Sequence, residues 1–115
     1  MNLQIFGSKK SFDTKKAERY FKERRIKYQL IDMKEKGMSK GELSAVRIAV
    51  GINEIIDTKA KGYAKSNLQN VRSVEIKEEI LFKDQSLIML PIVRNGKKAT
   101  VGYNPEVWEE WINEE

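Results

Sequence analysis

The sequence predicts an α/β fold, a small mixed β-sheet covered by helices, in a single domain over residues 1–115. Three observations point there. Near the start, apolar runs of strand length alternate with a segment of helical periodicity. Towards the end, Asn95-Gly96 separates two short strand-like runs, a strong hairpin signal because both residues tolerate positive φ. No Pro/Gly/Ser-rich linker divides the chain, and 115 residues suffice for one core.

Leu3 to Phe6 reads as a short central strand and Gly7 to Phe12 as the loop leaving its carboxyl end. A helix is expected over about Thr14 to Arg24. Ala17, Tyr20, Phe21 and Arg24 lie along one face of it, the arginine rimming that face with its stem. Lys27-Tyr28-Gln29-Leu30-Ile31 follows as a second strand. Strand, helix and strand with a short return form a parallel crossover, which is right-handed almost without exception. Ser39-Lys40-Gly41-Glu42 is a capping-box sequence that opens a helix carrying Leu43, Val46 and Val50, and Gly51 ends it.

Between Ile52 and Ser86 the pattern is irregular, with Ile55-Ile56, Tyr63 and Leu68 as anchors in short turns and helices. Val74, Ile76, Ile80 and Leu81 mark a further helix. After Leu90-Pro91, Ile92-Val93-Arg94 and Lys98-Ala99-Thr100-Val101 form the hairpin. Asn104-Pro105-Glu106 opens the last helix with a cap, a residue suited to the first helical position and an early acid. Val107, Trp108, Trp111 and Ile112 make its apolar face. The two tryptophans are therefore expected in packing, not in base stacking. The order β-α-β, helical insertion, β-β-α is thioredoxin-like architecture.

Composition closes off much chemistry. The chain has no Cys and no His, which removes disulfides, thiolate metal sites, thiol redox chemistry and the commonest general base; no metal site or resident cofactor is expected. Against 17 acidic residues stand 22 Lys and Arg, a net charge of +5. The basic pairs Lys9-Lys10, Lys15-Lys16, Arg24-Arg25 and Lys97-Lys98 are interspersed with acids, so no direct nucleic-acid binding is expected. Met1 to Phe6 runs into a strand without signal-peptide features, and no run has membrane-spanning length; a cytoplasmic protein is the expectation.

Ser11 draws attention because Lys9, Lys10, Lys15 and Lys16 surround a helix N-terminus, where free N–H groups favour an anion. Its plain reading is an N-cap, worth about 1 kcal/mol to the helix, with Asp13 as a second candidate for that job.

Ile5-Phe6-Gly7, Lys10-Ser11-Phe12-Asp13-Thr14-Lys15-Lys16-Ala17, Pro91-Ile92-Val93 and Val101-Gly102-Tyr103-Asn104 together resemble the arsenate reductase family that includes the Spx regulators. The similarity runs from Leu3 to Trp111, in the same order and at similar spacings. It implies a thioredoxin-like fold with a helical subdomain inserted at about residues 39–88. It also places the family's nucleophilic Cys at Ser11 and the second Cys of CxxC members at Thr14, with Lys10, Lys15 and Pro91 in the substrate groove and Pro91 cis. Here the motif is Ser-x-x-Thr. A natural replacement and a Cys-to-Ser substitution read identically at this position.

Two further departures concern the oxyanion. The Arg expected immediately before the proline is Leu90, and the basic position near Ile55-Ile56 aligns with acidic Asp57. Loss of bidentate guanidinium partners weakens the case for arsenate, and Lys59 or the loop lysines would serve only as point charges. By resemblance, a Cys form would perform one-thiol redox chemistry with glutathione or glutaredoxin as electron donor, and the Ser form would be inactive. The alternative by resemblance is an Spx-like adaptor that binds the C-terminal domain of the RNA polymerase alpha subunit, with Gly51 in the contacting region. Tyr103 and Asn104 are expected to hold the Pro91 loop and cap the last helix.

Overall fold

The computed structural model describes residues 1–115. Four strands form one sheet in the order β2-β1-β3-β4, with β1 (Leu3–Gly7), β2 (Tyr28–Asp32), β3 (Ile92–Asn95) and β4 (Lys98–Val101). β1 pairs with β2 in parallel and with β3 antiparallel, and β3 with β4 antiparallel. The sheet is therefore mixed, with β1 central, as the expected thioredoxin-like architecture requires.

Alternation along the strands gives the sheet two apolar faces. Leu3, Ile5 and Val93 pack with Ala17, Tyr20, Phe21, Trp108 and Trp111, which come from α1 (Phe12–Glu23) and α6 (Pro105–Asn113). On the other face Phe6, Ile31 and Ile92 pack with Leu43, Val46, Ile55 and Leu81. Those last four side chains come from α2 (Lys40–Val50), α3 (Ile52–Ile55) and α5 (Val74–Lys83), while α4 (Tyr63–Ser66) lies between α3 and α5 in the chain. Each such Phe, Ile or Leu, fully buried, contributes about 1.5–3 kcal/mol over the exposed state. Trp108 is enclosed completely and donates from Nε1 to Thr100 Oγ1 at 2.8 Å, so its polar edge is satisfied.

Local signals explain the boundaries. α2 has the full capping box: Ser39 Oγ accepts from the Glu42 N–H, and Glu42 Oε1 accepts from the Ser39 N–H. Gly51, at φ +91°, ends α2 and starts α3. An isolated bridge joins Ile56 to Ile88, flanked by Asp57 N–H to Leu87 O at 2.8 Å and Met89 N–H to Ile55 O at 2.7 Å. This ties the base of the helical segment to the run entering Pro91.

Four expectations need correction. α1 starts at Phe12 rather than Thr14, because Ser11 supplies the cap. In α5, Val74 and Ile76 are exposed; Leu81 alone is fully buried, since the inward side also carries Glu78, which meets Ser44 and Arg47 of α2. Asn104 precedes α6 without a side-chain cap bond. Nor does Tyr103 hold the Pro91 run: the Gly102 N–H does, donating to Pro91 O at 2.8 Å, while Tyr103 packs edge-on against Trp108.

Candidate functional site

Antiparallel pairing of Phe6 with Ile92 makes the residues after β1 and those before β3 leave the sheet at the same end. At that end lie the Ser8–Ser11 loop and the cis Leu90–Pro91 bond. Ser11 N–H donates to Ser8 O at 3.1 Å, and Ser8 Oγ accepts from the Lys10 N–H at 3.2 Å, which closes the loop on itself.

Ser11 is the N-cap of α1. Its backbone is extended at φ −86° and ψ 117°, and its Oγ accepts from the Thr14 N–H at 3.1 Å. Asp13 lies in the first turn, where its charge complements the helix dipole, but it does not cap. Thr14 is 2% exposed and its Oγ1 accepts from the Ser8 N–H at 3.4 Å, so it faces the strand end. Gly7 permits that approach: a Cβ there would sit 2.3 Å from Thr14 Cγ2. Strand end, loop and helix start thus form one interlocked unit.

The cations are more dispersed than the sequence suggests. A small hollow of about 130 Å³ is lined by Gly7, Ser8, Lys9, Thr14 and Lys15, but also by Glu18 and Asp32. Lys15 places its ammonium 5.9 Å from the centre of the Phe12 ring, and Lys16 lies 5.6 Å from that of Tyr103. Lys10 is exposed and fixes the loop through its backbone. Lys59 offers its backbone N–H to Asp57 Oδ1 at 3.0 Å, a turn contact. Glu18 accepts from the Tyr28 hydroxyl at 2.8 Å, and burial, reinforced by this carboxylate, pushes the phenol pKa well above its ordinary value.

Gly51 lies elsewhere, exposed on the helical segment; a Cβ built there meets nothing within 4 Å. Ile48, one turn before it, is 75% exposed.

A second groove, of about 390 Å³, flanks the loop on the Leu90 side and reaches Met33, Gln85 and Ile88. Sequence reading misses it. Its walls come from three separate connections, and Gln85 carries no periodic or motif signal. Structurally Gln85 acts as a bracket: Oε1 accepts from the Met38 N–H at 2.7 Å, while Nε2 donates to the carbonyls of Met38 and Phe82 at 2.9 and 3.2 Å. No group of three or more His, Cys, Asp or Glu side chains is arranged to hold a metal ion, and no helix is long and apolar enough to cross a membrane.

Residues 6–111 match the model of the ArsC family. No curated protein matches the chain. Among solved structures, an arsenate reductase from Vibrio cholerae superposes with a TM-score of 0.83 at 24% identity, covering 96% of this chain and 97% of that one. A protein from Staphylococcus aureus gives 0.80 at 25% identity over 94% and 96%. An arsenate reductase related protein from Brucella melitensis gives 0.70 at 22% identity over 97% and 95%. At these identities the structures speak for the fold.

Proposed function

The chain belongs to the ArsC family, and we propose that it carries that family's thiol-redox groove in a silent form, with Ser11 in place of the nucleophile. The observation behind this reading is the geometry of position 11. Its side chain stands at the N-terminus of α1, at the sheet end that also bears cis Pro91. A thiol placed there would be stabilised as thiolate by the helix dipole and nearby lysines. A serine hydroxyl has no such acidity, and the chain holds no His to take its proton.

In a Ser11→Cys form, the introduced thiolate would attack oxidised glutathione. One sulfur–sulfur bond forms to the protein as the glutathione disulfide breaks, and the second glutathione leaves as its thiolate. Glutaredoxin or a further glutathione thiol would resolve the adduct. Lys10 and Lys15 would act as weak electrostatic auxiliaries and Pro91 as the backbone wall. With Leu90 and Asp57 at the positions of the missing cations, arsenate is a poor substrate in this reading.

Mass spectrometry of Ser11→Cys after exposure to oxidised glutathione is the direct test. A single glutathione adduct, absent from the Ser11 form, is expected. If the Ser11→Cys protein forms no adduct with glutathione and reduces neither a disulfide nor arsenate, the redox reading fails.

A second reading has its own support. Gly51 is exposed with free space around it, next to exposed Ile48, which suits close approach of another protein. Here the chain would be an Spx-like adaptor for the RNA polymerase alpha C-terminal domain, located in the cytoplasm. Co-purification with the polymerase that is lost in Gly51→Arg would favour it; no association with the purified alpha domain would dismiss it.

A further inference from the structure

We infer that the groove beside Leu90 takes an aliphatic carboxylate, a hydrocarbon chain ending in a single negative charge, in place of a tetrahedral oxyanion. This goes beyond the redox reading, because none of Ser11, Lys10, Lys15 and Pro91 lines this groove. The cavity of about 390 Å³ lies within the size range of small-molecule sites. Its hydrophobic walls are Met33, Ile88 and Leu90. Ile88 and Leu90 are alternate residues of an extended run pinned to α3 through Met89, which sets both on one side.

Most polar atoms of the lining are already committed, the exceptions being the Ser8 hydroxyl proton and Lys34. Ser8 Oγ accepts from the Lys10 N–H, and its own N–H goes to Thr14 Oγ1. Gln85 commits its amide to Met38 and Phe82. Ser86 Oγ donates to Asp84 at 2.6 Å. What remains for a ligand is an apolar trough, the hydroxyl proton of Ser8 and one cation, the exposed Lys34. A tetrahedral oxyanion would bring four oxygens to these two donor groups and set the rest against apolar wall, whereas an alkyl chain fills the trough and the two oxygens of its carboxylate meet Lys34 and Ser8. Leu90 therefore makes this end of the groove an apolar wall.

The test follows backbone amide shifts of the isotope-labelled Ser11 protein titrated with octanoate, octanol or inorganic phosphate. Octanoate should give saturable shifts centred on Ser8, Met33, Lys34, Ser86 and Leu90. Octanol should bind there about two- to fivefold more weakly, the range an exposed ion pair supplies. Lys34→Ala should remove that difference and keep octanol binding. Leu90→Arg should weaken octanol about tenfold or more and bring in phosphate. The inference is overturned if octanoate gives no saturable shift below about 10 mM, if its shifts centre elsewhere, or if phosphate matches octanoate in the native chain. Since no thiol takes part, a glutathione adduct on Ser11→Cys without octanoate binding would refute this inference alone. Octanoate binding without an adduct would refute the redox reading alone.

Discussion

Replacing Gly7 with Ala tests whether the end of β1 and the first turn of α1 are one steric unit. A Cβ at Gly7 falls 2.3 Å from Thr14 Cγ2, 2.7 Å from Oγ1 and 3.0 Å from Cβ. Thr14 cannot rotate away freely, because it is 2% exposed and its hydroxyl accepts from the Ser8 N–H. Three contacts inside van der Waals distance place the cost near the upper part of the overpacking range, about 2–3 kcal/mol. A domain of this length has about 6–17 kcal/mol to lose, at roughly 0.05–0.15 kcal/mol per residue. With a urea slope of about 1–3 kcal/mol per molar, the unfolding midpoint should drop by about 0.7–3 M. Thr14→Ser deletes Cγ2, the closest atom, and keeps the hydroxyl; alone it should cost about 1 kcal/mol. Combined with Gly7→Ala it should recover at least about 1 kcal/mol relative to the sum of the singles. Urea titrations of all four proteins measure this. Gly7→Ala within about 0.5 kcal/mol of the parent, or strict additivity of the pair, would refute the steric argument.

Ser11→Ala should lower stability by about 1 kcal/mol through loss of the cap, and Ser11→Asp should retain most of it; both are read by urea unfolding. Thr100→Val should cost about 1–3 kcal/mol by stranding the buried Trp108 N–H, and Trp108→Phe on that background should cost less than it does alone. Tyr28 and Tyr20 both have phenol pKa values raised chiefly by burial, so the folded state holds their protons longer than the unfolded chain does. Stability from these groups is intact below the unfolded phenol pKa of about 10 and declines as pH rises beyond it. Denaturation midpoints above that pH should fall less steeply in Tyr28→Phe than in the parent.

The fold was legible where local and tertiary demands coincide. Ser39 with Glu42, Asn95-Gly96 and the apolar face of Tyr20, Phe21, Trp108 and Trp111 all state their roles within a few residues. The phase of α5 is misread from sequence because its exposed Val74 and Ile76 look like core, while Glu78 is drawn inward by Arg47 and Ser44, residues distant in sequence. For the site, the Ser11 cap was readable from its side chain and the helix that follows. The Leu90 groove was not, since it exists only once Ser8, Met33, Gln85 and Ile88 are brought together. Resemblance supplied the cis bond at Pro91 that residue pattern alone would not.

The paired bonds around Ile56 and Ile88 bear on how such a protein can diversify. By joining Asp57 to Leu87 and Ile55 to Met89, they staple shut the base of everything between. Residues 58–86 then form an excursion with both ends held, anchored within by buried Leu68 and Leu81 and by the Gln85 bonds to Met38. Lengthening a flexible excursion of this kind costs little, about 0.6 kcal/mol for each doubling. Its exposed stretches can therefore lengthen at little cost while Leu90 and Pro91 keep their places beside the loop.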